Sequence, residues 1–327
     1  MKLLMVLIGI VLTALLIFGA GCWVLTQPLL STPTPSPLGT PIDPQRLEAH
    51  VREISLNLAP RDHTHPEVLD RVASYISSQL ASMGAQTVEQ PFDNGRFRNI
   101  TTSFGPDSNE RVVVGAHYDT AGEQPGADDN ASGVAGLLEL ARALSDSPLD
   151  RRVELVAYSL EEPPNFRTPM MGSAVHAASL KEAGVEVIAM LSLEMLGFYT
   201  DEPGSQRFPS VLLKPLYPST GNFITVVGRL GEGDLVRSIK AAMRGTNDMP
   251  VASINGPTWI PGIDFSDHLN YWAHGYRAAM ITDTAFMRND FYHTTADTPD
   301  TLDYNRMAKV VQQVHAAVLH LQAHGVE

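Results

Sequence analysis

The sequence predicts an α/β fold, a three-layer α/β/α sandwich with a mostly parallel central sheet. Short β-branched runs alternate along the chain with segments whose apolar residues recur at helical spacing, which is typical of this class. The runs at 112–116 and 153–160 are apolar at successive positions, as in central strands that helices cover on both faces. With 327 residues, of which 44% are hydrophobic, the chain can bury one large core.

The folded domain is expected to span residues 42–327. It should begin near Ile42, because Asp43-Pro44 combines an N-cap residue with proline at the first helical position. A second helix should follow Pro66. The apolar faces of these two helices are predicted to carry Leu47, Val51, Ile54 and Leu58, and then Leu69, Val72, Ala73, Ile76 and Leu80. Further strands are predicted over 100–103, 112–116, 153–160, 187–193 and 223–227, and further helices over 134–144, 172–183, 235–243 and 305–321.

The first 41 residues differ in character from the rest. Residues 1–25 form an almost continuous apolar run after Lys2, and a membrane-spanning helix needs ~20 such residues. Residues 26–41 are rich in proline, serine and threonine, which predicts an extended linker. With Lys2 on the cytoplasmic side, we expect a membrane-anchored protein whose catalytic domain is extracytoplasmic, in the periplasm or at the cell surface. Two alternatives stay open: a lipoprotein cleaved at Cys22, or a protein secreted after cleavage of a signal peptide.

Composition excludes several classes of function. A net charge of −13 and a pI near 5.2 argue against a nucleic-acid partner. The single cysteine is Cys22, so the domain has no disulfide and no cysteine ligand or nucleophile. Any metal must therefore be held by histidines and carboxylates. The sequence leaves the oligomeric state open.

Acidic residues and histidines follow several of the predicted strands. Glu161 and Glu162 come directly after an apolar run, and two adjacent carboxylates normally need a cation or a proton to offset their repulsion. The carboxyl ends of parallel strands meet at one edge of a sheet, so clusters far apart in sequence can converge there. Oxygen and imidazole ligands of this kind suit a pair of zinc ions. The clusters are His117-Tyr118-Asp119, Asp128-Asp129-Asn130, Glu161-Glu162, Glu194 and His293.

The stretch from Gly126 to Gly133, with His117-x-Asp119 before it and Glu161-Glu162 after it, resembles the di-zinc aminopeptidase family of metallopeptidases. That family also includes glutamate carboxypeptidase-like enzymes, glutaminyl cyclases and transferrin-receptor-like ectodomains. The resemblance runs from about residue 100 to residue 304 and implies a cofactor of two Zn²⁺ ions. The implied metal ligands are Asp128 as the carboxylate shared by both ions, Glu162 and His293 for one ion, and His117 and Glu194 for the other.

The resemblance also implies catalytic roles. Glu161 is expected to act as the general base, and Asp119 to orient His117 without itself binding the metal. Tyr292 is either a hydrogen-bond donor to the oxyanion or a packed tyrosine. Asp297 is expected to cap the turn into the last helix.

The expected function is that of a zinc-dependent exopeptidase, an aminopeptidase that acts on peptides. A glutaminyl cyclase-like acyltransferase and a non-catalytic binding ectodomain remain as alternatives, and aminopeptidase against carboxypeptidase specificity stays open. Two departures from the family pattern bear on this. Glu194 stands where the family's aminopeptidases usually have aspartate, and residues 163–171 and 200–216 are longer than expected, which predicts that they shape the substrate pocket.

Overall fold

A computed structural model describes residues 2–26, 32–34 and 41–326. One eight-stranded mixed sheet lies between two layers of helices, which confirms the predicted α/β sandwich. Most of the predicted linker, residues 27–31 and 35–40, lies outside the described residues. The domain boundaries at 25/26 and 41/42 therefore stay predictions.

The ends of the observed elements differ from those of the predicted ones by a few residues at most. The helices are α1 (Lys2–Thr26), α2 (Pro44–Arg52), α3 (Pro66–Ser82), α4 (Gly133–Ser145), α5 (Gly172–Glu182), α6 (Gly233–Arg244), α7 (His268–Ala273) and α8 (Tyr304–His324). The strands are β1 (Thr87–Phe92), β2 (Phe97–Phe104), β3 (Glu110–His117), β4 (Arg152–Tyr158), β5 (Glu186–Glu194), β6 (Ile224–Arg229), β7 (Val251–Gly256) and β8 (Ala278–Thr282). The predictions did not include β1, β7, β8 and α7.

The strand order is β1-β2-β4-β3-β5-β8-β6-β7. The central strands β4, β3, β5 and β8 run parallel to one another. Antiparallel pairing joins β1 to β2, β2 to β4, and β6 to β8, and β7 closes the far edge parallel to β6. The carboxyl ends of the central strands therefore share one edge, and β1 and β7 are the two outer strands.

The first helices form as the sequence predicts. The Asp43 side chain accepts a hydrogen bond from Gln45 N–H, and Pro44 occupies the first helical position. A π-helical turn, Glu53–Asn57, prolongs α2, so its apolar face continues as far as Leu58. Every residue of the two predicted apolar faces is buried. These helices pack with α4, α6 and α8 on one face of the sheet, while α5 and α7 cover the other.

Candidate metal centre

The acidic clusters converge at the carboxyl ends of the central strands. His117 is the last residue of β3, Glu194 is the last residue of β5, and Glu161 and Glu162 follow β4 by three and four residues. Because these strands are parallel neighbours, their ends deliver the side chains to one place. His293 reaches the same place from the irregular segment after β8.

Two groups of side chains share a single aspartate. In the first group, His117 Nε2 lies 3.3 Å from Glu194 Oε2 and 3.5 Å from Asp129 Oδ1. In the second, His293 Nε2 lies 3.0 Å from Asp129 Oδ2 and 3.2 Å from Glu162 Oε1. Asp129 thus presents one oxygen to each histidine, as a carboxylate that bridges two cations would.

The residues of both groups fit bound zinc. Buried atoms of His117, Asp129, Glu162 and His293 have no hydrogen-bond partner among the described residues, although such atoms are normally satisfied. Zinc bonds of roughly 2.0–2.2 Å in tetrahedral geometry place ligand atoms roughly 3.3 Å apart. The observed separations of 3.0–3.5 Å bracket that spacing. The donor atoms are imidazole nitrogens and carboxylate oxygens, both ordinary zinc ligands.

The structure corrects the predicted position of the shared aspartate. The expected residue was Asp128, but its Oδ1 accepts a hydrogen bond from Gly197 N–H and its Oδ2 one from Asn289 Nδ2. It therefore lies away from both histidines, and Asp129 takes the place between them. The reason is local: the backbone angles of Asp129 (φ −103°, ψ 92°) and Asn130 (φ −130°, ψ 39°) depart from helical values, so the side chains of Asp128 and Asp129 point in different directions.

Asp297 fixes the loop that carries Asp129. Its two carboxylate oxygens accept hydrogen bonds from the backbone N–H groups of Asp128 and Asp129, at 2.9 and 3.1 Å, and its own carbonyl accepts one from Ala127 N–H. The prediction that Asp297 caps the turn into the last helix is wrong. Asp303 caps α8 instead, by accepting a hydrogen bond from Arg306 N–H.

Asp119 supports the two glutamates more directly than it supports His117. Its Oδ1 and Oδ2 each accept a backbone hydrogen bond at 3.0 Å, from Glu161 N–H and Glu162 N–H respectively. The separation between Asp119 Oδ1 and His117 Nδ1 is 3.5 Å, longer than an ordinary hydrogen bond. Asp119 therefore holds the backbone of the Glu161-Glu162 pair.

Arg61 is a part of the centre that sequence reasoning missed. Its side chain is fully buried and donates to the carbonyl oxygens of Tyr118, Pro125, Gly126 and Asp129. These carbonyls flank the loops that carry His117 and Asp129. Burial lowers the pKa of the Arg61 guanidinium to about 10, although nearby carboxylates oppose the change, so it remains a cation at neutral pH. No motif marks this arginine, which precedes α3 by only five residues.

Glu161 and Glu194 differ in their surroundings. Burial, with the nearby charges of Glu162 and Glu194, raises the pKa of Glu161 well above its usual range, while His117 opposes this. The Glu161 Oε2 lies 4.0 Å from His117 Nε2. Glu194 Oε2 accepts a hydrogen bond from Ser266 Oγ, which orients the carboxylate toward His117.

Without a bound cation, protons on the histidines and on Glu162 offset the negative charge of the clustered carboxylates. Burial lowers the pKa of His293, but its contacts with Asp129 and Glu162 raise it overall to about 10. Burial and the charge of Asp129 raise the pKa of Glu162 to about 8. Burial lowers the pKa of His117 too, but Glu194, Asp119 and Glu161 together raise it well above its usual value. A divalent cation would replace these protons.

An apolar pocket of about 820 Å³, including its open mouth, adjoins the centre. Glu194 and Tyr292 lie on its wall, and the Tyr292 ring stacks on the His293 ring with centroids 3.8 Å apart. Burial raises the pKa of Tyr292 far above its usual value, so its hydroxyl keeps its proton. The segment 200–216 lines the pocket through Gln206, Arg207, Phe208, Pro209 and Leu213, whereas 163–171 stays behind the wall, with Phe166 against the lining residue Phe265.

Comparison with known proteins gives the same class. Residues 99–318 match the sequence profile of peptidase family M28. The uncharacterized protein YfbL of Escherichia coli (strain K12) is 48% identical over 281 residues, which cover 83% of this chain and 86% of YfbL. The leucine aminopeptidase 1 of Uncinocarpus reesii is 30% identical over 256 residues, 73% of this chain but only 58% of that enzyme.

Two solved structures share the fold at low sequence identity. The LapA aminopeptidase of Legionella pneumophila superposes with a TM-score of 0.69 at 20% identity, over 88% of this chain and 73% of LapA. A glutaminyl cyclase of Bacteroides thetaiotaomicron gives a TM-score of 0.65 at 19% identity, over 86% of this chain and 99% of the cyclase.

The fold, together with the carboxylates and histidines at the ends of the central strands, defines a hydrolase of the peptidase type. The chain belongs to peptidase family M28.

Proposed function

We propose that this protein is a zinc-dependent aminopeptidase that holds two zinc ions. The observation that carries the proposal is the pair of ligand groups, His117 with Glu194 and His293 with Glu162, that share Asp129 beside an apolar pocket. Zinc bound there would polarise the scissile carbonyl and provide a nucleophile at neutral pH. A binding ectodomain without catalysis would have no need for this set of buried acids.

Glu161 is the residue that moves the proton. It is not a member of the two groups that share Asp129, although its carboxylate also lies close to His117 and Glu162. A carboxylate in this position can take a proton from the attacking nucleophile and pass it to the leaving amine. The Tyr292 hydroxyl, which stays protonated beside His293, donates a hydrogen bond to the oxygen on which negative charge develops.

The electrostatics favour an aminopeptidase over a carboxypeptidase. A substrate α-carboxylate needs a cationic or N–H-rich partner, whereas a free α-amine needs carboxylates. The one cation on the described wall of the pocket is Arg207, and its guanidinium already binds Asp290 and the carbonyl of Phe286. Glu194, which belongs to the acidic centre, also lies on the wall of the pocket.

A matched pair of variants tests the assigned roles. Glu161→Gln should retain the bound zinc and the fold but lose turnover by ~10²–10⁴-fold, the usual contribution of general acid-base catalysis. Glu162→Gln removes the charge of a ligand and should lower zinc affinity. Metal content by elemental analysis and turnover on aminoacyl-p-nitroanilides separate the two effects. Equal loss of metal in both variants would show that Glu161 is itself a ligand.

A substrate panel separates the remaining alternatives. The proposal predicts hydrolysis of peptides with a free N-terminus, including those blocked at the C-terminus, and no cleavage of N-terminally blocked peptides. Formation of pyroglutamate from a glutaminyl peptide, without amide hydrolysis, would identify a cyclase instead. Purified protein that folds but binds no zinc would identify a non-catalytic domain.

We further propose that α1 anchors the protein and that the catalytic domain lies outside the cytoplasm. Lys2–Gly21 is long and apolar enough to cross a membrane, although a signal sequence passes the same criterion. Protease added to spheroplasts should release a soluble, active domain by cutting within 26–41. If the full-length chain stays protected from the protease, the catalytic domain lies on the cytoplasmic side instead. If the domain is released without protease and has a new N-terminus near Cys22, the segment is a cleaved signal peptide.

A further inference from the structure

The most exposed large apolar side chains of the described catalytic domain lie beside the pocket. Val211 and Leu212 are 72% and 78% exposed, and Trp259 is 80% exposed. We name these three residues the apolar rim. Their neighbours Pro209 and Leu213, and Ile260 and Pro261, line the pocket, so the two turns that carry the rim flank one opening.

A cluster of this kind differs from ordinary exposed apolar residues. Single apolar side chains on a surface are common and need no explanation. Here a tryptophan and two aliphatic residues flank one cavity. Tryptophan is favoured where an apolar environment meets water, as at a bilayer surface. Val211 and Leu212 lie in a single helical turn, Val211–Leu213. The side chain of Lys214, which follows this turn, is exposed and can meet lipid phosphates.

The rim lies at the same edge of the sheet as the chain that leads to the membrane. The Tyr217 hydroxyl donates to the carbonyl of Ser253, which ties the first turn to the outer strand β7. Part of α1 also approaches β7. Thr34 N–H donates to the carbonyl of Ala241 in α6, a helix that packs on β7. Thr34, part of α1 and the rim thus all lie near the outer β7 edge of the sheet.

We propose that the apolar rim docks on the lipid surface of the membrane that α1 spans. The docking rests on the proposed anchoring by α1 and not on the peptidase activity, whereas the substrate class rests on both. With the rim in the interface, the pocket opens at the membrane surface. The substrate class is then membrane-associated peptides with an apolar N-terminal residue, which reach the pocket without leaving the lipid surface.

The single cysteine of the chain makes the test direct. Full-length protein with Cys22→Ser and either Leu212→Cys or Trp259→Cys is labelled with an environment-sensitive fluorophore. It is reconstituted into vesicles of phosphatidylcholine and phosphatidylglycerol, with or without lipids that carry a quencher near the headgroup. Val88→Cys is the matched control, because Val88 is 64% exposed on β1, the opposite outer strand. Circular dichroism checks that each variant is folded.

The expected result is a blue-shifted emission and a strong loss of intensity with quencher lipid at positions 212 and 259, and neither change at position 88. Equal responses at positions 212 and 88 would overturn the proposal. A blue shift without quenching would overturn it too, since protein or peptide would then cover the rim. Labelled wild-type Cys22 reports on α1 itself, and absence of quenching there would overturn the anchor and the docking together.

Discussion

The structure predicts opposite consequences for two adjacent aspartates. Asp129→Asn removes a charge that faces both ligand groups, since one oxygen lies 3.5 Å from His117 Nε2 and the other 3.0 Å from His293 Nε2. Asp128→Asn changes a carboxylate that accepts hydrogen bonds from Gly197 and Asn289 and contacts neither histidine. The first substitution should therefore affect metal binding directly, and the second only through the shape of the loop.

The expected magnitudes follow from these contacts. Groups that orient ligands without binding the metal typically contribute ~10–100-fold to affinity, which sets the expected loss for Asp128→Asn. Asp129→Asn weakens both sites at once, so the loss should exceed ~100-fold and the bound zinc should fall well below that of the wild type. The side-chain shape is nearly unchanged in both variants, so each serves as the control for the other.

Competition with a fluorescent zinc chelator gives the affinity, and elemental analysis gives the stoichiometry. Denaturant unfolding in excess chelator shows whether either metal-free variant has lost stability, which must be subtracted from the effect on binding. The reasoning is refuted if Asp128→Asn loses more zinc than Asp129→Asn, because Asp128 would then be the shared ligand.

Three further predictions concern the supports and charges of the centre. Arg61→Met deprives buried carbonyls of their donor and should lower the free energy of unfolding by about 3 kcal/mol or more; Arg61→Lys should restore part of this, as measured by denaturant unfolding. Gly115→Ala would place a Cβ 2.1 Å from the Tyr158 ring, so it should cost about 1–3 kcal/mol, whereas Gly122→Ala meets only the flexible end of Gln124 and should cost little. Zinc binding near neutral pH should release protons, because the pKa values of His293 and Glu162 are about 10 and about 8 without metal; titration calorimetry in buffers of different ionisation enthalpy counts them.

Each of these has a clear contrary result. Equal stability of Arg61→Met and wild type would mean that the loops keep their shape without the guanidinium. An unchanged Gly115→Ala would show that Tyr158 can move aside. Proton uptake on zinc binding would contradict the protonated state of His293.

For the metal-free protein, the raised pKa of His293 contributes stability below about pH 6.5, and that contribution is lost as the pH rises through about 10.

The predicted elements were those whose pattern is visible within the element itself. The helix faces from Leu47 and Leu69 and the continuous runs of β3, β4 and β5 are long, and each is apolar in a single periodicity. The missed strands are short or depend on neighbours. β1 reads Thr-Val-Glu-Gln-Pro-Phe, an outer strand with no buried residue, and β8 has only five residues that pair between β5 and β6. They form strands because neighbouring strands pair with them, and a local sequence pattern does not contain that information.

The candidate ligands were predictable as a set, but not residue by residue. Position at strand ends indicated His117, Glu194 and the Glu161-Glu162 pair, because topology alone brings them together. The choice between Asp128 and Asp129 depends on one backbone conformation in a loop, and adjacent acidic residues look alike in sequence. Arg61 could not be found from sequence, since a buried arginine that binds carbonyls has no characteristic spacing.

The hydrogen bonds distinguish two kinds of acidic side chain in the centre. Some hold loops in place, and others have oxygens that face the candidate cation positions. Asp119, Asp128 and Asp297 each accept two hydrogen bonds from N–H donors, so both oxygens of each side chain have partners within the fold. Asp129 Oδ1 and Glu162 Oε1 are buried without a partner among the described residues. Burying such oxygens uncompensated is costly, so they are expected where an ion or a proton completes the set. Because the supporting acids hold backbone N–H groups, the fold can position the unsatisfied oxygens before any metal binds.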